Sequence, residues 1–218
     1  MVERPEEKGS GRARPVLLVG VTGPSGAGKS TVAGALVEAL GPEKAVLLKQ
    51  DDYYRDLGHL ELEERTARNF DDPASVELEL LEAHLGALKK GEAVECPVYD
   101  FSLHTRVRGE FKRITPRPVV VVEGIFLGWA PGIRGLLDLL VYVDAPEQVR
   151  LDRRIERDRA HRGRTRESVE RQWREQVAPA GRAFVEPYKK EAGLVLDGTA
   201  GVEACLEILL ERVRPMLG

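Results

Sequence analysis

An α/β fold, a parallel sheet with helices on both faces, is what the sequence predicts. Three observations point there. Short apolar runs alternate along the chain with longer stretches whose apolar residues recur at helical spacing. Such alternation marks strands joined by crossover helices. One run, Val119-Val120-Val121-Val122, is valine throughout, as suits a central strand buried on both faces. And 218 residues are enough to bury one full core.

The elements follow in order. Met1 to Arg14 is charged, carries Gly and Pro, and has no apolar h-region, so a disordered leader is expected over 1–14 and a single domain over 15–218. Val16–Val21 reads as a strand and Lys29–Leu40 as a helix, with Val32, Leu36, Val37 and Leu40 on one face. Ala45–Lys49 is the next strand and Val76–Lys90 the next helix. Val94–Val98 and Val107–Ile114 read as short strands outside the main sheet, with the hairpin turn around Arg108-Gly109-Glu110. Strands Val119–Glu123, Leu139–Asp144 and Gly193–Leu196 complete the sheet. Helices are expected over Pro146–Arg159, Arg166–Glu186 and Val202–Val213. No repeat or linker divides the chain.

Composition narrows the classes of function. The net charge of −3 does not draw the molecule as a whole to nucleic acid or to anionic membranes. Cys96 and Cys205 lie far apart without metal-ligand spacing, which suits a reducing compartment. No apolar run reaches the ~18 residues needed to span a bilayer. A cytoplasmic protein is expected.

In an open parallel sheet, ligands sit beyond the carboxyl ends of the strands. Gly23-Pro24-Ser25-Gly26-Ala27-Gly28-Lys29-Ser30 follows the first strand and opens the first helix. It matches G-x-x-x-x-G-K-[ST] in the strand–loop–helix context that gives the pattern its meaning. Glycines let backbone N–H groups turn toward phosphate oxygens, and the helix N-terminus adds its positive end. Lys29 would reach the β- and γ-phosphates and Ser30 would ligate Mg²⁺. The fold is therefore a P-loop NTPase-type sheet, with a small β-hairpin insertion. The plainer alternative is a glycine-rich turn with a surface lysine.

Two acidic sites follow other strands. Glu123 ends the valine run, where a phosphoryl-transferring site places a magnesium partner. Asp51 and Asp52 follow the second strand, and either could accept a hydroxyl proton and align the oxygen. They could equally form an acidic turn. Asn69-Phe70-Asp71-Asp72-Pro73 reads as an Asx turn with a helix-opening proline. Tyr99, Phe101, His104 and Arg106 could hold a nucleobase, or the two aromatics could alternate into the core.

Arg150 to Arg174 holds ten arginines against five acids. It reads as a helix, a flexible tip at Arg162-Gly163-Arg164 and a second helix, a helical lid whose guanidinium forks could clamp phosphates. A solvated helical face is the alternative, and nucleic-acid binding is disfavoured by the lack of interleaved aromatics.

In their order, GPSGAGKST (23–31), QDDYY (50–54), NFDDP (69–73), PVYDF with LHTR (97–106), EGI (123–125) and RDRAHRGR (157–164) resemble the uridine kinases (uridine–cytidine kinases) of the P-loop kinase superfamily, from about Pro15 to Gly198. The resemblance implies ATP as donor, Mg²⁺, a pyrimidine ribonucleoside as acceptor, and phosphorylation of its 5′-hydroxyl. It implies that Gly23 to Thr31 (Gly23, Pro24, Ser25, Gly26, Ala27, Gly28, Lys29, Ser30, Thr31) bind the ATP phosphates. Ser30, Asp51 and Glu123 would hold the metal, with Asp51 as base. Tyr54, Phe70, Asp71, Tyr99, Phe101 and His104 would hold the nucleoside. Arg154, Arg157, Arg162 and Arg164 would be lid and phosphate contacts, with Arg157 and Gln172 helping to orient the ribose and Arg154 also on the acceptor side. Relatives are often homo-oligomers, commonly tetramers. The chain departs from the family in having Asp72 where His is common, and a second carboxylate, Asp52, beside Asp51. Two alternatives stay open: a related kinase of another small alcohol, such as ribulose 5-phosphate or pantothenate, and a nucleotide-dependent switch. The absence of an N-K-x-D base-reading motif argues against the switch.

Overall fold

The computed structural model describes residues 16–217, the side chains of His161 and Arg162 excepted; the expected leader over 1–14 lies outside the described residues. Five parallel strands form the sheet, β1 (Leu17–Thr22), β2 (Ala45–Lys49), β5 (Val119–Glu123), β6 (Leu139–Asp144) and β7 (Leu194–Asp197), in the order β2-β5-β1-β6-β7. The all-valine strand is central, as its composition demands. Its side chains alternate between two cores because successive strand residues point to opposite faces. Val120 and Val122 join Leu18, Leu48 and the apolar stripe Leu81, Leu85 and Leu88 of α3 (Leu78–Lys89) on one face. Val119 and Val121 meet Val32 and Leu36 of α1 (Lys29–Leu40) and Leu209 and Val213 of α8 (Val202–Val213) on the other. Leu85 is fully buried, so Leu85→Ala should destabilise the protein by about 2–5 kcal/mol, read as a lower urea midpoint.

Register places the site. Val21 of β1 and Lys49 of β2 both flank Glu123 of β5, so the three strands end at one level. The chain just beyond each, Gly23–Ser30, Gln50–Tyr53 and Gly124, converges on one edge of the sheet.

The remaining elements correct several expectations. The hairpin β3 (Val94–Asp100) and β4 (Thr105–Ile114) is a separate two-stranded sheet, but it turns at residues 101–104, not at Arg108-Gly109-Glu110. Asp100 builds that turn by accepting from the Ser102 and Leu103 N–H groups, at 2.7 and 3.1 Å. Gly109, at φ +78°, marks a bulge in which residues 107–110 of β4 lie opposite Val98 alone. The helix expected over Arg166–Glu186 is α6 (Arg166–Gln172), a π-helical turn at Trp173–Val177 and α7 (Ala178–Phe184). Pro179 cannot donate and crowds the preceding turn, and local widening accommodates it. α5 (Glu147–Arg162) runs further than Arg159 and ends at Gly163, at φ +61°. α3 begins two residues after Val76, which instead forms an isolated bridge with Tyr54. Two short helices escaped sequence reading, α2 (Leu62–Thr66) and α4 (Pro131–Leu136). Among the described residues no helix is long and apolar enough to cross a membrane.

Candidate active site

Two cavities open at the carboxyl edge of the sheet. The first, of about 290 Å³, is lined by Ser25, Gly26, Gly28, Lys29, Ser30 and Thr31 of the glycine-rich loop, by Glu123, and by Arg153, Arg154 and Arg157 of α5. The second, of about 970 Å³, is lined by Tyr99, Phe101 and His104 of the hairpin and by Arg164 and Gln172 of the lid. Asp51, Tyr54, Phe70, Asp71 and Arg154 line both and form the wall between them.

The loop is shaped by backbone conformations that side chains disfavour. Gly23, Gly26 and Gly28 lie at φ +139°, +81° and +107°. A Cβ on Gly23 would run into the Val143 carbonyl, and one on Gly26 into that of Arg150. Gly23, Pro24 and Ala27 do not line the cavity; they set its frame. The Pro24 carbonyl accepts from Lys29 Nζ at 3.1 Å, and Ala27 is fully buried. The first turn of α1 carries no acidic residue, which leaves its positive end open to an anion. Burial lowers the pKa of Lys29, and the charges of Glu123 and Asp51 oppose that shift. Burial raises the carboxyl of Glu123, and Asp51 raises it further. Ser30 Oγ donates to the Glu123 carboxylate, 3.1 and 3.0 Å from its two oxygens.

Asp51 sits on a 3₁₀ turn, Gln50–Tyr53, that is pinned on every side. Gln50 is buried, and its Oε1 accepts from the Phe126 N–H at 2.9 Å. The Tyr53 hydroxyl, fully buried, lies 2.9 Å from His84 Nδ1 and 3.0 Å from Cys96 Sγ. Arg106 donates to the carbonyls of Tyr53 and Tyr54 at 3.2 and 2.8 Å and pairs with Glu77 at 2.7 Å. Arg106 is thus a brace for the turn, not a lining residue of either cavity. Of the two neighbouring carboxylates, Asp51 lines both cavities and Asp52 neither. Burial raises the pKa of Asp52.

The second cavity has an aromatic shelf. Phe70 stacks on His104, with ring centroids 5.2 Å apart and planes 24° apart. Tyr54 packs against Phe70 at 5.3 Å and against Tyr99 at 5.2 Å, and Tyr99 against Phe101 at 5.1 Å. The Tyr54 hydroxyl donates to the Phe70 carbonyl at 3.2 Å. Tyr99 is therefore both core and cavity wall, whereas Phe101 is 44% exposed on the turn. Among the described residues the buried Tyr99 hydroxyl meets no hydrogen-bond partner, and burial raises its pKa. Asp72 lines neither cavity; it caps the 3₁₀ turn Pro73–Ser75 by accepting from the Ala74 N–H at 2.8 Å.

The lid arginines divide between the cavities. Arg157 lines the first only. Arg164 lines the second rather than the loop cavity, and it donates to Gln172 Oε1 together with Arg154. The Arg162 side chain lies outside the described residues. Sequence reading missed Arg153, which donates to the carbonyls of Ala27 and Gly198 at 3.3 and 3.0 Å and ties the loop to the chain after β7. It also missed Thr66, Val98, Ser102 and Val107 of the second cavity. Asp144, although at a strand end, pairs with Lys189 at 2.7 Å and lines neither cavity.

A family model described as "Phosphoribulokinase / Uridine kinase family" matches residues 18–203. A uridine kinase of Alkaliphilus metalliredigens is 40% identical over 204 residues, covering 94% of this chain and 97% of that protein. A uridine kinase of Chloroflexus aggregans is 38% identical over 201 residues, covering 92% and 96%. The structure of phosphoribulokinase from Rhodobacter spheroides shares the fold, with a TM-score of 0.62 at 20% identity over 83% of this chain and 69% of that one.

Proposed function

The chain belongs to the phosphoribulokinase/uridine kinase family, and from that premise we propose that it transfers the γ-phosphoryl group of ATP to the 5′-hydroxyl of uridine or cytidine. One observation carries the reading. Two cavities, one walled by a phosphate-binding loop and one by stacked aromatics, share a wall that presents Asp51 to both. A hydroxyl in the second cavity would meet a phosphate in the first with a carboxylate beside it.

The donor set suits the groups that this reaction needs. The positive-φ glycines let the loop pack against the Val143 and Arg150 carbonyls, where a Cβ would intrude, and so hold the shape of a phosphate cradle. Ser30, Glu123 and Asp51 are hard oxygen donors of the kind Mg²⁺ takes, in a small number that leaves it phosphate oxygens and water. Bound there, Mg²⁺ would neutralise charge on the transferring phosphoryl group.

The protein's own groups do the rest by position and charge. Asp51 accepts the proton of the 5′-hydroxyl as its oxygen bonds to the γ-phosphorus, and the bond from that phosphorus to the β–γ bridging oxygen breaks. Lys29 and Arg157 offset the charge that develops. The stacked pair of Phe70 and His104 offers one ring face to the base, and Tyr99 walls the shelf beside it. A sugar-phosphate acceptor would leave the aromatic shelf of Phe70, Tyr99 and His104 without a planar partner.

His104→Asn tests the acceptor assignment, since Asn tolerates the φ of +50° that His104 adopts. The KM for uridine should rise about tenfold, in line with the ~1–3 kcal/mol of a lost base stack, while the KM for ATP stays within about twofold. Equal KM values for uridine in variant and wild type would remove the base from this shelf.

A further inference from the structure

Asp158 is a fully buried carboxylate that lines neither cavity, yet among the described residues three guanidinium groups turn to it. Arg157 approaches its Oδ1 with Nε at 2.9 Å and a terminal nitrogen at 2.8 Å. Arg154 and Arg164 lie 3.7 and 3.6 Å from its Oδ2. The Asp158 backbone carbonyl also accepts from Gly163 and from Arg164 at the lid tip, so one residue fixes both the end of α5 and the charges around it.

Those three arginines are the ones that straddle the junction. Arg157 faces the phosphate cavity, Arg164 the acceptor cavity, and Arg154 both. Arg154 also donates to Ser25 Oγ of the loop at 2.9 Å and to Gln172 Oε1 of α6 at 3.0 Å, and it lies 3.7 Å from Asp71. Three like charges so close repel one another unless an opposite charge sits among them. A buried ion cluster adds little net stability over an apolar core, so its value lies in geometry.

We propose that Asp158 is a positioning residue for phosphoryl transfer, its buried carboxylate holding Arg154, Arg157 and Arg164 in register across the junction of the two cavities. The proposal rests on the kinase reading given above. Asp158 touches no substrate; it acts through the arginines.

The test compares γ-phosphate loss from ATP for wild type, Asp158→Asn, Arg157→Gln and the double variant, with uridine and without any acceptor, alongside thermal unfolding. Asp158→Asn should lower kcat at least about tenfold at saturating substrates, and the double variant should be no slower than the slower single variant. A purely structural role would shift the unfolding midpoint but leave the kcat of the folded enzyme within about twofold, with effects that add; that result overturns the proposal. If Asp158→Asn does not fold, Asp158→Glu, which keeps the charge on a longer arm, is read by the same criteria. Wild-type turnover indifferent to uridine would overturn the acceptor assignment alone. The comparison of acceptor-independent ATP cleavage would then decide for Asp158, a tenfold loss upholding it and an unchanged rate sinking it.

Discussion

Lys29→Ala is expected to lower kcat by at least about 100-fold, or ~2.7 kcal/mol of barrier. The ammonium is buried against the glycine-rich loop, with its Nζ on the Pro24 carbonyl. Burial alone works against its charge, and the carboxylates of Glu123 and Asp51 work to keep it. A cation held this way loses no solvent-reorganisation energy when charge builds on a phosphoryl group beside it. Alanine removes that charge and leaves the two carboxylates facing the phosphates with one cation fewer to offset them. The fold should persist, because Lys29 opens α1 and contributes little to either apolar core. The KM for ATP should rise as well. Steady-state kinetics on protein with an unchanged circular dichroism spectrum measure both, and a kcat within a few-fold of wild type would remove Lys29 from the reaction.

Asp51→Ala should cost at least about 100-fold in kcat as well, within the ~10²–10⁴ typical of a lost general base. Asp51→Asn sharpens the test, since it keeps shape and one hydrogen-bonding oxygen while losing the ability to take a proton. Asp52→Asn is the internal control. Asp52 is the chemical twin next door but lines neither cavity, so its variant should stay within about threefold of wild type. Near-normal turnover in Asp51→Asn, or an equal loss in Asp52→Asn, would overturn the choice between the two carboxylates.

The contrast between these neighbours shows what sequence alone can carry. The strands, their parallel arrangement and the glycine-rich loop follow from periodicity and local motif, because each depends on residues close in the chain. Which aspartate faces the site depends on Tyr53 reaching His84 and Cys96 and on Arg106 reaching back to the turn. Those contacts join residues 31 to 52 positions apart in the chain. Arg106 shows the same limit: its type and place suggested a ligand contact, and its partners make it a brace. Gly109 misled for a local reason, since a glycine at positive φ serves a bulge as well as a turn. The arginine-rich segment stood out by composition, but its division between two cavities, and the buried aspartate at its centre, required the folded lid. Thr66 escaped notice because α2 is a single turn with no buried residue and no apolar period to reveal it.

ATP consumption with Mg²⁺, measured against a panel of nucleosides and a blank without acceptor, tests transfer to a pyrimidine ribonucleoside at the shared wall of the two cavities. Turnover should stand well above the blank with uridine or cytidine and be little with purine nucleosides or deoxyribonucleosides. Consumption at the blank rate with every nucleoside, or turnover indifferent to the base, would contradict it.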